Sequence, residues 1–284
     1  MKSKLLNIPP LPAVLLAILS VQFGAAIAKG LFPSIGAAGT ASLRIGLSAV
    51  ILVIAYRPNL KKLTTKQWKA VIPYGLSLGA MNMVFYLAIE RIPIGLGVTL
   101  EFFGPLLVAI LGSKRLIDFL WVILAGAGIA LIAPWTGQGV DLVGALLALT
   151  AGGFWAAYIL LGGRISKIMN GGDAVAVGML FATALILPFG IFSGGLNNLN
   201  PKLLGLGAAL ALLSSAIPFS LEMKALKQLP SRTFSILMSL EPAAASVCAF
   251  IFLQEKLSFT ECLAVAFVVI ASAGSTLTAR RAKL

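Results

Sequence analysis

The sequence predicts an all-α membrane protein with ten transmembrane helices, arranged as two inverted five-helix repeats around a central cavity. Three observations lead there. The 284 residues are 59% hydrophobic and 11% charged, with a mean hydropathy of +1.01, whereas a soluble domain is about 45–50% apolar and ~25% charged. Lysine and arginine crowd into alternate connections between the apolar runs. A segment of the first half also aligns without gaps to one in the second.

Crossing a hydrocarbon layer ~30 Å thick takes about 20 apolar residues. Apolar runs of that order lie at 11–28, 37–56, 69–89, 94–112, 117–134, 142–163, 173–193, 203–222, 232–253 and 258–279. The opening stretch, with basic residues, an apolar core and "AIA", also reads as a cleavable signal. It is expected to stay as the first helix, because its loss would leave nine spans and spoil the repeat. The second span stops at "RPNL", the third at "ERIPIG", the fifth at "PWTGQG", the seventh at "NNLNPK" and the eighth at "KQLPSR". These connections are short and rich in Pro, Gly or Asn, which turn the chain, and they leave no room for a soluble domain.

With the N-terminus inside, 17 of the 22 Lys and Arg residues fall in inner segments. Four fall outside (Lys29, Arg91, Lys202 and Lys256), and Arg44 lies within a span. That bias is the positive-inside signature, which places both termini in the cytoplasm. It also accounts for the net charge of +13 without a nucleic-acid partner, and makes Arg57 to Lys69 a cytoplasmic anchor. Histidine is absent, which removes Ser-His triads, His-ligated zinc and haem. Cys248 and Cys262 sit in apolar runs without metal-ligand spacing and are expected as packing residues. No metal or cofactor is expected, and an intramembrane enzyme would lack its nucleophile and base. Monomer and dimer are both compatible with the sequence.

The repeat is carried by "RIPIGLGVTLEFFGPLL" and "QLPSRTFSILMSLEPAA", in which Pro93 matches Pro230, Leu100 matches Leu237 and Pro105 matches Pro242. "FGAA" at Phe23 parallels "FWAA" at Phe154. The expected halves are 1–136 and 137–284. Five helices per half is odd, so the second half enters from the opposite side. Such inverted repeats are characteristic of secondary transporters, with the substrate site near the midplane.

The fourth and ninth spans hold a carboxylate and a proline each. At 1.5 Å per residue, Glu101 lies about 10 Å deep from one face and Glu241 about 13 Å from the other. Ionisable groups at that depth cost about 2.5–3.5 kcal/mol on insertion scales and normally mark function. Each proline lacks the N–H for the carbonyl four residues back, so Pro105 frees the carbonyl of Glu101 and Pro242 that of Met238, with a kink at each. Acceptors and carboxylates at mid-depth suit an ammonium group or a proton, and Glu101 and Glu241 are the expected proton-coupling groups. Against this stands a plainer use, in which prolines kink and glutamates satisfy Arg44 or hydroxyls.

The other polar residues within spans are Gln22, Arg44, Asn82, Trp155, Tyr158, Ser214 and Ser215. Gln22 and Asn82 offer donors and acceptors, and Asn82 shares a helical face with Tyr86. Trp155 and Tyr158 are i, i+3 neighbours that either wall a cavity or pack. Arg44 has three uses open: attracting a substrate carboxylate, pairing with Glu101, or reaching outward to the interface. Glu222, beside Lys224, is expected as an interfacial ion pair.

Ten helices in two halves, with "SLEMKALKQLPSRTFSILMSLEPAAASVCAFIFLQEKLS" late in the chain, resemble the EamA branch of the drug/metabolite transporter superfamily. "SVQFGAAIAKGLFP", "GAMNMVFYLAI", "LEFFGPL" and "GSTLT" are similar to the narrower group of bacterial inner-membrane threonine/homoserine exporters. The resemblance covers the whole chain. It implies export of small neutral amino acids from the cytoplasm, coupled to protons, with the fifth and tenth helices outside the substrate path. The matching positions are Gln22, Asn82, Tyr86, Glu101, Pro105, Glu222, Glu241 and Pro242. The binding set expected is Gln22, Asn82, Tyr86, Glu101, Trp155, Tyr158 and Ser214. A broader drug or metabolite exporter is the alternative within transport, and a channel is a further one.

Overall fold

Prolines, glycines and short polar side chains set where the helices begin, break and end. A computed structural model describes residues 8–92, 94–113, 115–132, 141–241, 244 and 259–281. The expected kink at Pro242, Pro93 of the repeat, the junction at 135–140, Cys248, and Lys2, Lys4 and Lys283 at the chain ends lie outside the described residues.

The first helical stretch, α1 (Pro10–Tyr56), takes Pro at its first position and is interrupted at Gly36, where φ is 67° and ψ is 175°. A left-handed φ suits glycine, and Pro33 lies one turn earlier, so α1 is two helices end to end. α2 (Thr65–Ile89) starts at a capping box, with the Gln67 N–H donating to Thr64 Oγ1 and the Thr64 N–H donating to Gln67 Oε1. These bonds satisfy free N–H groups of the first turn. α3 (Ile94–Glu101) and α4 (Phe103–Leu111) occupy the fourth expected span, and α5 (Leu116–Ile132) the fifth.

Asp141 caps α6 (Leu142–Ile165), accepting from the Gly144 N–H at 2.9 Å. Asn170 caps α7 (Gly171–Phe192) and Asn200 caps α8 (Pro201–Ala211). α8 runs through a π-turn at Leu212–Ala216 into α9 (Ile217–Gln228). Pro218 lacks the N–H that would bond the Ser214 carbonyl, which favours the wider turn. The eighth expected span is therefore longer, Pro201–Gln228 in place of 203–222. α10 (Ser231–Met238) and α11 (Phe259–Arg281) complete the described helices.

The described residues are thus all-helical, and five stretches are long and apolar enough to cross a membrane: Gly30–Tyr56, Thr65–Ile89, Leu142–Ile165, Gly171–Phe192 and Pro201–Gln228. Helices of the two halves pack mainly on each other. α2 lies on α6 and α7, α1 on α7, α8 and α9, α4 on α6 and α10, and α5 on α11. Serine and threonine side chains join them. Ser20 Oγ donates to the Leu213 carbonyl at 2.6 Å, Ser48 Oγ to that of Ala211 at 2.8 Å, and Ser42 Oγ to that of Ile186 at 3.2 Å. Glycines set the closest approaches: a β-carbon on Gly75 would stand 2.4 Å from the Gly178 carbonyl oxygen.

Two cavities flank the core. One of about 460 Å³ is lined by residues including Ser34, Gly36, Glu90, Ser193 and Asn198. Another of about 320 Å³ is lined by Lys66, Lys69, Ala70, Leu161, Arg164 and Ile168. Neither is the central cavity expected from the sequence. Buried aromatic rings pack on one another in the core, Tyr74 on Tyr158, Tyr158 on Phe219 and Phe102 on Trp155. Cys262, expected as a packing residue, is exposed on α11.

Candidate functional site

The fourth expected span breaks where the sequence places its carboxylate. α3 ends at Glu101, Phe102 forms a turn, and α4 resumes at Phe103. Pro105 donates no hydrogen bond, while the Leu106 N–H reaches the Phe102 carbonyl at 3.2 Å. The ninth span behaves alike: α10 ends at Met238 and Ser239 forms a turn. In the gapless alignment of the two sequence segments Met238 stands opposite Glu101, and a helix ends at each.

The freed Glu101 carbonyl does not face open space. It rests on α6, where a β-carbon on Gly152 would lie 2.5 Å from it. That is a correction to the expected backbone acceptor, and its cause is close helix packing: a carbonyl against a glycine α-carbon gains a weak C–H···O contact. The Glu101 side chain is 9% exposed.

Around it the site assembles from both halves. Arg44, half-buried in the second part of α1, donates from an Nη to Asn82 Oδ1 on α2. Its guanidinium carbon stands 5.2 Å over the Tyr86 ring, a cation–π arrangement. The Asn82 carboxamide is fixed by its own Nδ2, which donates to the Leu78 carbonyl at 2.8 Å. Tyr86 is further braced edge-on by Phe32, 5.7 Å away. Gln22 Nε2 donates to the Glu241 carbonyl at 3.4 Å. Arg44, Asn82 and Tyr86 thus form one contact group, and Gln22 reaches the Glu241 backbone.

The remaining expected residues sit apart. Trp155 packs edge-on against Phe102 at 4.7 Å. Tyr158 is fully buried, stacks on Tyr74 at 5.3 Å, and donates to Glu222 Oε2 at 3.0 Å. Glu222 is thus not at an interface as expected but 4% exposed. Ser214 is buried in the π-turn against Gly24, where a β-carbon would meet its Oγ at 1.9 Å.

Sequence reasoning missed Tyr74 and two ion pairs that join the halves. Arg232 of α10 pairs with Asp118 of α5, whose side chain is 3% exposed. Arg91 pairs with Asp141 at 3.3 Å in a more exposed setting. The Gly144 N–H, then Arg91, hold the Asp141 carboxyl below its ordinary value. Opposite charges bordering predicted spans were the available signal, but nothing in the sequence pairs them.

The EamA-like transporter family matches residues 142–277. The threonine/homoserine exporter RhtA of Salmonella typhimurium (strain LT2) is 46% identical over 275 residues, covering 96% of this chain and 92% of its own. The exporter of the same name from Escherichia coli (strain K12) is 45% identical over the same shares. The uncharacterized transporter YwfM of Bacillus subtilis (strain 168) is 25% identical over 82% of this chain and 81% of its own. A solved crystal structure at 17% identity superposes with a TM-score of 0.73, covering 96% of this chain and 99% of that one, a likeness of fold.

Proposed function

Since this chain belongs to the EamA-like transporter family, we propose that it exports small neutral amino acids, threonine and homoserine foremost, from the bacterial cytoplasm. The carrying observation is a pair of opposite charges held within the spans, Arg44 fixed on Asn82 and over Tyr86 and Glu101 buried at a helix break, in a chain similar over 96% of its length to exporters of that name. A zwitterion has the complementary pattern of one cation and one anion. In this reading the substrate ammonium meets Glu101, Asn82 and Gln22 orient its polar atoms, and Tyr86, Trp155 and Ser214 shape the surroundings. Tyr158 positions Glu222.

The protein works by alternating access between two inverted halves, 1–136 and 137–284, each of five helices. The paired breaks after Glu101 and Met238 support this, as do contacts that run mostly between halves. The two cavities support the threading as well. Segments expected outside converge on one, and segments expected inside, with Lys66, Lys69 and Arg164, converge on the other. A central cavity forms as the halves rock and the packed middle opens. Protons exchange at Glu101 or Glu241 and bias the two packings, in an inner membrane with both termini cytoplasmic.

Threonine transport in vesicles across an imposed proton gradient tests this. Gradient-dependent threonine movement that is lost in Glu101→Gln is expected. Wild-type protein that moves neither threonine nor homoserine overturns the substrate reading, and movement indifferent to the gradient overturns the coupling.

A further inference from the structure

A guanidinium within the apolar middle of a membrane protein needs partners for five N–H donors and for its charge. Arg44 has one neutral side-chain acceptor, Asn82 Oδ1, among the described hydrogen bonds. Its Nε is buried and has no hydrogen-bond partner among the described residues. The ion pairs among the described residues are Arg91–Asp141 and Arg232–Asp118, so no described carboxylate lies in contact with Arg44. The group is nevertheless held firmly. Tyr86 lies beneath it at 5.2 Å, and the Asn82 amide that receives it is locked to the Leu78 carbonyl. A charge fixed in place, with a buried donor unmet and no described carboxylate in contact, is prepared for an anion that arrives.

Resting on the amino-acid reading above, we infer that Arg44 recognises the α-carboxylate of the substrate and sets the exporter's requirement for a free carboxyl group. A carboxylate carries two oxygens at the spacing of adjacent guanidinium N–H groups, so it can take Nε–H together with a neighbouring N–H. The order of charge across the site then runs Arg44, carboxylate, ammonium, Glu101. Asn82 is the neutral placeholder that keeps the fork aimed. An arginine that merely packed or reached the interface would have no reason to discriminate carboxylates from amides.

The test uses the purified full chain and two ligands of nearly equal size, threonine and threoninamide, the latter without a carboxylate. Wild-type protein is expected to show a thermal shift with threonine and at least tenfold weaker binding of threoninamide. Arg44→Gln should weaken threonine binding by roughly 10- to 100-fold, the range for a charge-assisted pair, and leave threoninamide binding unchanged. Arg44→Lys keeps the charge without the fork and should fall between. Equal binding of the two ligands by wild type overturns the inference while leaving amino-acid export standing. So does wild-type threonine affinity in Arg44→Gln. Absence of any threonine or homoserine binding by wild type overturns both. Should Arg44→Gln fail to fold, the wild-type pair and Arg44→Lys still decide.

Discussion

The carbonyl oxygen of Glu101 rests on the α-carbon of Gly152, so closely that a β-carbon there would stand 2.5 Å away. Gly104 closes the same contact from α4, where a β-carbon would lie 1.8 Å from the Gly152 carbonyl oxygen. The proline-broken turn is therefore docked on α6 by two glycines, and that docking fixes where the Glu101 carboxyl can point.

Gly152→Ala is accordingly expected to cost on the order of 1–3 kcal/mol by overpacking, read as a lowered melting temperature, and to reduce transport. Its neighbour Gly153 has nothing within 4 Å of a β-carbon. Gly153→Ala should therefore stabilise, by up to about 1 kcal/mol from helix propensity. Equal effects from the two variants would deny the docking.

Tyr158 and Glu222 form a buried hydrogen bond at 3.0 Å. Tyr158→Phe should cost about 0.5–3 kcal/mol, the span from a neutral to a charged acceptor. Glu222→Gln should cost a similar amount, and the double variant less than the sum, because both act on one interaction. Chemical or thermal denaturation of the three variants checks it, and strict additivity would contradict it.

The Arg232–Asp118 pair crosses between halves with Asp118 almost fully buried. Removing one partner leaves an unpaired buried charge, at about 3–5 kcal/mol. Asp118→Leu should therefore destabilise more than Asp118→Leu combined with Arg232→Leu. A double variant worse than either single one would count against the pair.

Asp141 provides a pH control. Its folded value lies below the ordinary carboxyl value because of the Gly144 N–H and Arg91. A depressed carboxyl stabilises above its unfolded value, and that contribution is lost only as pH falls through the lower folded value. Melting temperatures of wild type and Asp141→Asn should therefore differ by a constant amount from pH 5 to 8. A difference that shrinks across that window would mean Asp141 titrates there. Any pH dependence of transport in the same window should survive in Asp141→Asn.

Local features were legible because neighbours in sequence cause them. Pro105 predicts the break after Glu101, and Asp141, Asn170 and Asn200 begin helices as short polar residues do. The interruption at Gly36 fell between two expected spans. Asn82 and Tyr86 could be put on one face from their spacing alone. Partners were not legible where docking chooses them. Arg44 and Asn82 are 38 residues apart, Tyr158 and Glu222 are 64 apart, and Arg232 and Asp118 are 114 apart. The Glu101 carbonyl was misread for the same reason: its release follows from Pro105, but its burial follows from Gly152 on another helix.

The most direct measurement is threonine movement in vesicles holding purified protein, with and without an imposed proton gradient, for wild type and Glu101→Gln. The account predicts gradient-driven threonine accumulation by wild type and its loss in Glu101→Gln at unchanged melting temperature. Threonine movement in Glu101→Gln that matches wild type in rate and gradient dependence would contradict it.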